Sequence, residues 1–260
     1  MNYNKVLGID IGGSGIKGAP VDTKDGLMLE QRHRIPTPDP STPEKVAKVI
    51  LQLVEHFKWE GPVGCGFPAA IQNGVVRTAA NIDKSWLDTD ANKLFSRVTK
   101  LPVTVVNDAD AAGLAEMKFG AGRGKSGTVM LLTIGTGIGV VLFSDGRLVP
   151  NLEMGHIYLK GMDIDGETYS SDAARKDNDL SWEEWAGRFN EYLHFMEFLT
   201  WPDLIILGGG ASKKGDKFLQ YFDVKAPVVP AQLLNNAGIV GAALASKYRY
   251  KLKKKAGKKK

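Results

Sequence analysis

The sequence predicts an α/β protein of two lobes with a cleft between them, and three observations carry that prediction. Apolar strand-like segments alternate with helical ones along the whole chain. A glycine-rich hairpin opens the chain and recurs near its middle. The composition is that of an ordinary globular protein, 43% hydrophobic and 24% charged over 260 residues.

The first strand is Lys5 to Asp10, which ends on a carboxylate and runs into Gly12-Gly13-Ser14-Gly15. A second strand follows from Ile16 to Val21, and Asp25-Gly26 turns the chain back. Ser41 or Thr42 caps a helix whose first turn holds Pro43 and whose apolar positions are Val46, Val49, Ile50, Leu53, Val54 and Phe57. Extended segments are expected at Pro62 to Pro68 and Leu101 to Asn107, with an alanine-rich helix from Asp108 to Phe119.

The opening pattern then repeats. Thr128 to Ile134 is an apolar strand, Gly135-Thr136-Gly137-Ile138-Gly139 is its turn, and Val140 to Phe143 is the return strand before Asp145-Gly146. A helix from Trp182 to Leu199, a strand at Leu204 to Leu207, a third glycine turn at Gly208-Gly209-Gly210 and a small-residue helix at Ala237 to Ala245 complete the order. The expected division is an N-terminal small lobe over 1–108, to which a helix at about 238–252 could return, and a larger C-terminal lobe over 109–246. Residues 251–260 are expected to be a disordered Lys-rich tail.

Charge and cysteine bound the functional classes. The net charge of +5 arises from the segment 247–260, which holds nine Lys or Arg and no acid, so the rest of the chain is acidic on balance. That run reads either as a solubilising end or as an attractor for a polyanion. The single Cys65 excludes an internal disulfide and any multi-cysteine metal site. With no apolar run of about 18 residues and no signal-peptide pattern, a soluble cytoplasmic protein is expected.

Three glycine turns after strands suit a phosphate chain, because backbone N–H groups can approach an anion where no Cβ intervenes. Neither a Walker A loop nor a strand–helix GxGxxG is present. Asp10, beside the first turn, either caps the hairpin or holds Mg²⁺ through water. Asn107-Asp108-Ala109-Asp110 stands where a strand meets a helix, so Asp108 is either a helix cap or the acceptor of an alcohol proton in phosphoryl transfer. Glu153, His156 and Glu167 form a polar set of the kind that grips a polyol.

Together these residues resemble the ROK family of sugar kinases, within the actin-like/hexokinase ATPase superfamily. The resemblance rests on Asp10-Ile11-Gly12-Gly13-Ser14, Asn107-Asp108-Ala109, Thr133 to Gly139, Glu153-x-Gly155-His156 and Gly208-Gly209-Gly210. Gly64-Cys65-Gly66-Phe67-Pro68-Ala69, Ala80 to Trp86 and Leu148-Val149-Pro150-Asn151 look like the polyphosphate glucokinases within that family.

The resemblance implies a two-lobed, duplicated ribonuclease H-like fold with an interlobe cleft, and phosphorylation of the glucose 6-hydroxyl by polyphosphate, with ATP as an alternative donor. Asp108 is then the general base. Asn107, Glu153, His156 and Glu167 hold the sugar, with Thr78 and Asn81 as further contacts. Asp10, Gly12, Gly13, Ser14, Lys17, Thr136, Gly137 and Gly209 hold the donor phosphates, and Asp10 holds Mg²⁺. Lys17, Arg77, Lys84, Arg123, Lys125, Lys213 and Lys214 could line a basic track for the donor. The resemblance also implies a homodimer. Ile157 to Arg175 contains no cysteine, so the structural zinc of many relatives is not expected. The first strand begins at residue 5, so no helix-turn-helix extension and no transcriptional role are expected. A non-catalytic polyanion-binding protein is the contrasting class, and it has no use for a proton acceptor at Asp108.

Overall fold

The computed structural model describes residues 4–80 and 82–256, with side chains described as far as Lys247. It divides into two compact units, Met1–Ala115 with Asn236–Lys260, and Glu116–Asn235.

The first unit is built on β1 (Lys5–Ile11) and β2 (Ile16–Asp22), an antiparallel hairpin extended by the short β3 (Leu27–Met28) and by β4 (His33–Ile35). After α1 (Pro43–His56), β5 (Val63–Phe67) pairs in parallel with β1. A small hairpin, β6 (Ile71–Gln72) and β7 (Val75–Val76), and α2 (Ala91–Thr99) lead to β8 (Val103–Asn107), which pairs in parallel with β5 before α3 (Asp108–Phe119). The sheet order is β3-β2-β1-β5-β8. Val6, Leu7 and Ile9 are fully buried, as expected of a central strand covered on both faces. One cover is α1, whose Val46, Val49, Ile50, Leu53 and Val54 recur at helical spacing and are all buried.

The other cover is α7 (Ala237–Ala256). Gly8 and Gly64 are register partners on β1 and β5, and a Cβ on either would collide with a helix carbonyl, of Ile239 or of Ala242. Helix and strands therefore touch backbone to backbone. Only small residues permit that approach, which accounts for the Ala-Gly-Ile-Val-Gly-Ala-Ala-Leu-Ala-Ser composition of residues 237–246. Ile239 and Leu244 are fully buried there, each contributing roughly 1.5–3 kcal/mol of transfer free energy.

The second unit repeats the plan. Strands β9 (Thr128–Ile134), β10 (Ile138–Ser144) and β11 (Arg147–Leu152) form an antiparallel meander, and β12 (Leu204–Gly209) and β13 (Val228–Pro230) add in parallel, giving the order β11-β10-β9-β12-β13. A meander of three strands followed by two parallel strands is the order of the first sheet also, so the duplication is written in the topology. Between the meander and β12 lie α4 (Gly166–Ser170), α5 (Asp172–Asp177) and α6 (Trp182–Thr200). Helix α6 opens on a capping box of Ser181 and Glu184, and buries Trp185, Phe189, Tyr192, Leu193 and Met196. Trp182 stacks on Phe218 with ring centroids 5.4 Å apart. Glu116 is fully buried and accepts the N–H groups of Ala121, Gln232 and Leu233, which ties two loop segments to α3.

The division falls inside α3, after Ala115 rather than Asp108, and α7 belongs to the first unit, the return the sequence allowed, because its small-residue face fits the glycine-lined strands there. The second unit is accordingly the smaller one, not the larger. A further expectation is corrected: α7 continues helical through Ala256, so residues 251–256 are not an irregular tail. Lysine is a good helix former, and the buried first half of α7 supplies the nucleus from which the helix extends. Residues 257–260 lie outside the described residues. Among the described residues no helix is long and apolar enough to cross a membrane.

Candidate active site

In the first unit the chain passes from β8 into α3 at Asn107 and Asp108. Asn107 Oδ1 accepts the Asp110 N–H at 3.0 Å, which is the bond a helix cap makes, and its Nδ2 donates to the Ala69 carbonyl at 3.2 Å. Asp108 is therefore the first residue inside the helix, where its Oδ1 accepts the Ala109 N–H at 2.8 Å. Gly66 on β5 packs 3.5 Å from the Asp108 Cα, measured from where a Cβ would stand. Thr78 Oγ1 accepts the Ala70 N–H at 2.9 Å, so Thr78 and Asn107 both hold the Ala69-Ala70 segment. Asn81 lies outside the described residues.

The β1–β2 turn is fixed from within. The Gly12 N–H donates to the Gly15 carbonyl at 3.2 Å, and Thr37 Oγ1 donates to the Gly12 carbonyl at 2.5 Å. Arg34 holds the Ser14 carbonyl. Gly13 and Ser14 are exposed, and the turn borders a cavity of about 320 Å³ lined by Gly12, Gly13, Thr37, Ser41, Phe67 and Trp86. A Cβ on Gly13 would meet nothing within 4 Å.

Asp10 is the penultimate residue of β1, with its side chain only 22% exposed, and Lys17, its register partner on β2, places Nζ 3.7 Å from the carboxylate. Burial pushes the Asp10 carboxyl above its ordinary range, and Lys17 offsets that in part. Gly238, in the first turn of α7, stands against the same carboxylate: a Cβ there would lie 2.9 Å from Cγ. A desolvated carboxylate of this kind gains from a divalent cation. Among the described residues no three His, Cys, Asp or Glu side chains gather to form a protein cage for a metal. Asp10 thus fits Mg²⁺, which needs one or two carboxylates and takes its other oxygens from phosphate and water.

In the second unit the polar set closes on the repeated turn. The Gly135 N–H donates to the Gly137 carbonyl at 2.9 Å, and the Ile138 N–H donates to Glu167 Oε2 at 2.7 Å. A Cβ on Gly137 would collide with the Glu167 carboxylate, whereas one on Gly135 would meet nothing within 4 Å. Thr136 is exposed at the apex. Gly209 holds a left-handed φ of 79° against the Ile134 backbone, so its lack of a side chain is required by the fold itself.

Glu153, His156 and Glu167 act on one another electrostatically. Burial raises the Glu153 carboxyl, His156 lowers it and Glu167 raises it further. The His156 Nδ1 lies 2.8 Å from Asp165 Oδ2, and this bond raises the imidazole pKa. Asp165 Oδ1 also accepts the Thr168 N–H at 2.8 Å, capping α4, the helix that carries Glu167. One carboxylate thus joins His156 to the start of the helix that carries Glu167. The sequence reading missed Asp165, although Asp165-Gly166-Glu167-Thr168 is a recognisable helix start. Helix α6 supports both: Tyr192 Oη donates to the Met154 carbonyl at 3.1 Å and Trp185 Nε1 to that of Ser170 at 2.9 Å.

The basic residues are less uniform than a track requires. Arg77 pairs with Asp88, whereas Lys84, Arg123, Lys125, Lys213 and Lys214 are exposed.

Comparison with known proteins extends these observations. The model of the ROK family matches residues 6–179. The polyphosphate glucokinase of Mycobacterium tuberculosis (strain CDC 1551 / Oshkosh) is 47% identical over 241 residues, 92% of this chain and 90% of that protein. Among solved structures, the inorganic polyphosphate/ATP-glucomannokinase of Arthrobacter sp. strain KM is 48% identical, with a TM-score of 0.89 over 94% of this chain and 99% of that one. A ROK family glucokinase from Streptomyces griseus, solved with glucose and AMPPNP, is 26% identical with a TM-score of 0.77, over 94% and 99% of the two chains.

Proposed function

The chain belongs to the ROK family, and from that premise we propose that it transfers a phosphoryl group from inorganic polyphosphate to the 6-hydroxyl of glucose. The products are glucose 6-phosphate and a donor shortened by one phosphate. The observation that carries this reading is the arrangement at the start of α3, where Asn107 makes the helix-cap bond and Asp108 stands beside it as the first helical residue.

In this reaction Asp108 accepts the proton of the 6-hydroxyl as its oxygen forms a bond to the terminal phosphorus and the bridging P–O bond of the donor breaks. Asn107, Glu153, His156 and Glu167 hold the sugar hydroxyls, with Asp165 fixing the His156 ring and Thr78 supporting the segment beside Asn107. The exposed turns at Gly12-Gly13-Ser14 and Gly135-Thr136-Gly137 receive donor oxygens, with Lys17 adding positive charge at Asp10; Gly209 serves by shaping the end of β12. Mg²⁺, when bound at Asp10, supplies neutralisation of charge on the donor oxygens. The name of the Arthrobacter relative supports ATP as a second donor. The same reading places the protein in the cytoplasm as a homodimer.

The test is direct. Purified protein with glucose and Mg²⁺ should yield glucose 6-phosphate with long-chain polyphosphate, and the rate should fall as salt rises, because association with a polyanion releases counterions. Formation of glucose 6-phosphate from ATP alone, with none from polyphosphate, would overturn the donor assignment.

A further inference from the structure

Helix α7 changes character abruptly along its length. From Ala237 to Ser246 nearly every residue is buried and none is charged. From Lys247 to Lys255 six of nine residues are Lys or Arg and none is acidic. The same helix therefore begins inside the first unit and runs on through a stretch whose sequence is strongly cationic.

Its two ends relate to one another through the candidate donor site. Gly238, in the first turn, stands against the Asp10 carboxylate. At 1.5 Å of rise per residue, Lys251 to Lys255 lie about 20–26 Å further along the same axis. Between Arg249 and Lys255 the helix carries five positive charges within about 9 Å of axis. Such a linear density of one sign attracts a flexible polyanion by releasing its counterions, and a compact anion far less.

We propose that the basic half of α7 is a second binding site for the polyphosphate donor, a tether that holds a long chain while its end is used. The proposal rests on the reading of the protein as a polyphosphate-using enzyme and adds to it a length dependence. A donor of a few phosphates cannot reach from the turn beside Asp10 to residues 251–255. A chain of hundreds can, and once one part is held the other binds at a high effective concentration. Successive transfers from one chain then proceed without its full release.

Two variants test this beside the full chain: a truncation after Tyr250, and a full-length protein with Lys251→Gln, Lys253→Gln, Lys254→Gln and Lys255→Gln, which keeps helix-forming residues. Each is assayed with glucose on tripolyphosphate, ATP and polyphosphate of several hundred phosphates at low salt. The expected result is a KM for the long donor raised roughly tenfold or more in both variants, with kcat and the short-donor KM within about twofold. The salt dependence on the long donor should also become shallower, by about one unit of log–log slope for each phosphate that is no longer neutralised. An unchanged KM for the long donor would overturn the tether, as would an equal loss on short donors.

Direct binding separates this proposal from the reading beneath it. Should no donor support phosphorylation by any of the proteins, the enzymatic reading falls. Retardation of fluorescent long-chain polyphosphate by the full chain but by neither variant would still establish the site. Equal retardation by all three would remove it, and so would a preference of the full chain for single-stranded RNA over polyphosphate at equal charge concentration.

Discussion

Asn107 and Asp108 are neighbours with separate duties: the first accepts the Asp110 N–H at 3.0 Å and closes the helix end, and the second begins the helix with its Cα packed against Gly66. Asp108→Asn keeps the shape and removes the proton acceptor. Its kcat should fall by about 10²–10⁴, the range of a general base, while glucose affinity measured by calorimetry changes by less than about threefold. A rate within tenfold of the parent would contradict the assignment. Asn107→Ala should instead cost about 1 kcal/mol of stability through the lost cap, together with weaker glucose binding.

Gly13 and Gly135 are held to glycine by neither backbone conformation nor packing, since both have open space at the Cβ position and neither has a positive φ. Alanine at either position should leave the denaturation midpoint unchanged or slightly higher, by up to about 1 kcal/mol. The KM for the phosphoryl donor should rise nonetheless. Gly137→Ala differs, because its methyl group would displace Glu167; there the KM for glucose should rise.

The bond between His156 and Asp165 makes a prediction in pH. Hydrogen bonding to Asp165 raises the imidazole pKa, so the cationic form persists to higher pH than in the unfolded chain, where histidine titrates near 6.5. The stability this contributes is fully present below that value and is lost as pH rises through the folded pKa. Asp165→Asn should bring the His156 pKa down toward about 6.5, readable by NMR of the ring protons. No movement on substitution would show that Asp165 does not set the imidazole.

Glu116 accepts three backbone N–H groups with no part of its side chain exposed. Glu116→Ala would leave all three donors unmatched, and at roughly 1–3 kcal/mol for each buried unsatisfied group the loss should exceed about 3 kcal/mol. Urea denaturation should show a lower midpoint.

Much of this molecule is legible in the sequence because the relevant signals are local. Strand β9 has the apolar run Val129 to Leu132 at its centre, α1 shows its buried face at helical spacing, and both glycine hairpins announce themselves. The elements that escaped are short or weakly patterned: α2 is only nine residues long, β11 contains Pro150 and is half exposed, and α4 and α5 are under two turns long. At the site, the residues of each turn could be read in place. Asp165 could not be assigned to His156, because the pairing depends on a loop closing between them. Glu116 was still less visible, since two of its three donors lie more than a hundred residues downstream.

The trough formed by Gly8 and Gly64 has a consequence for the order of assembly. The unit that contains the first strand is finished only by residues 237–246, while the second unit is wholly enclosed between the two parts. During synthesis the enclosed unit has all its own residues out first, and the earliest strands wait with one face bare until the closing helix emerges. A chain stopped before residue 237 therefore leaves the Gly8 and Gly64 face of β1 and β5 without its cover.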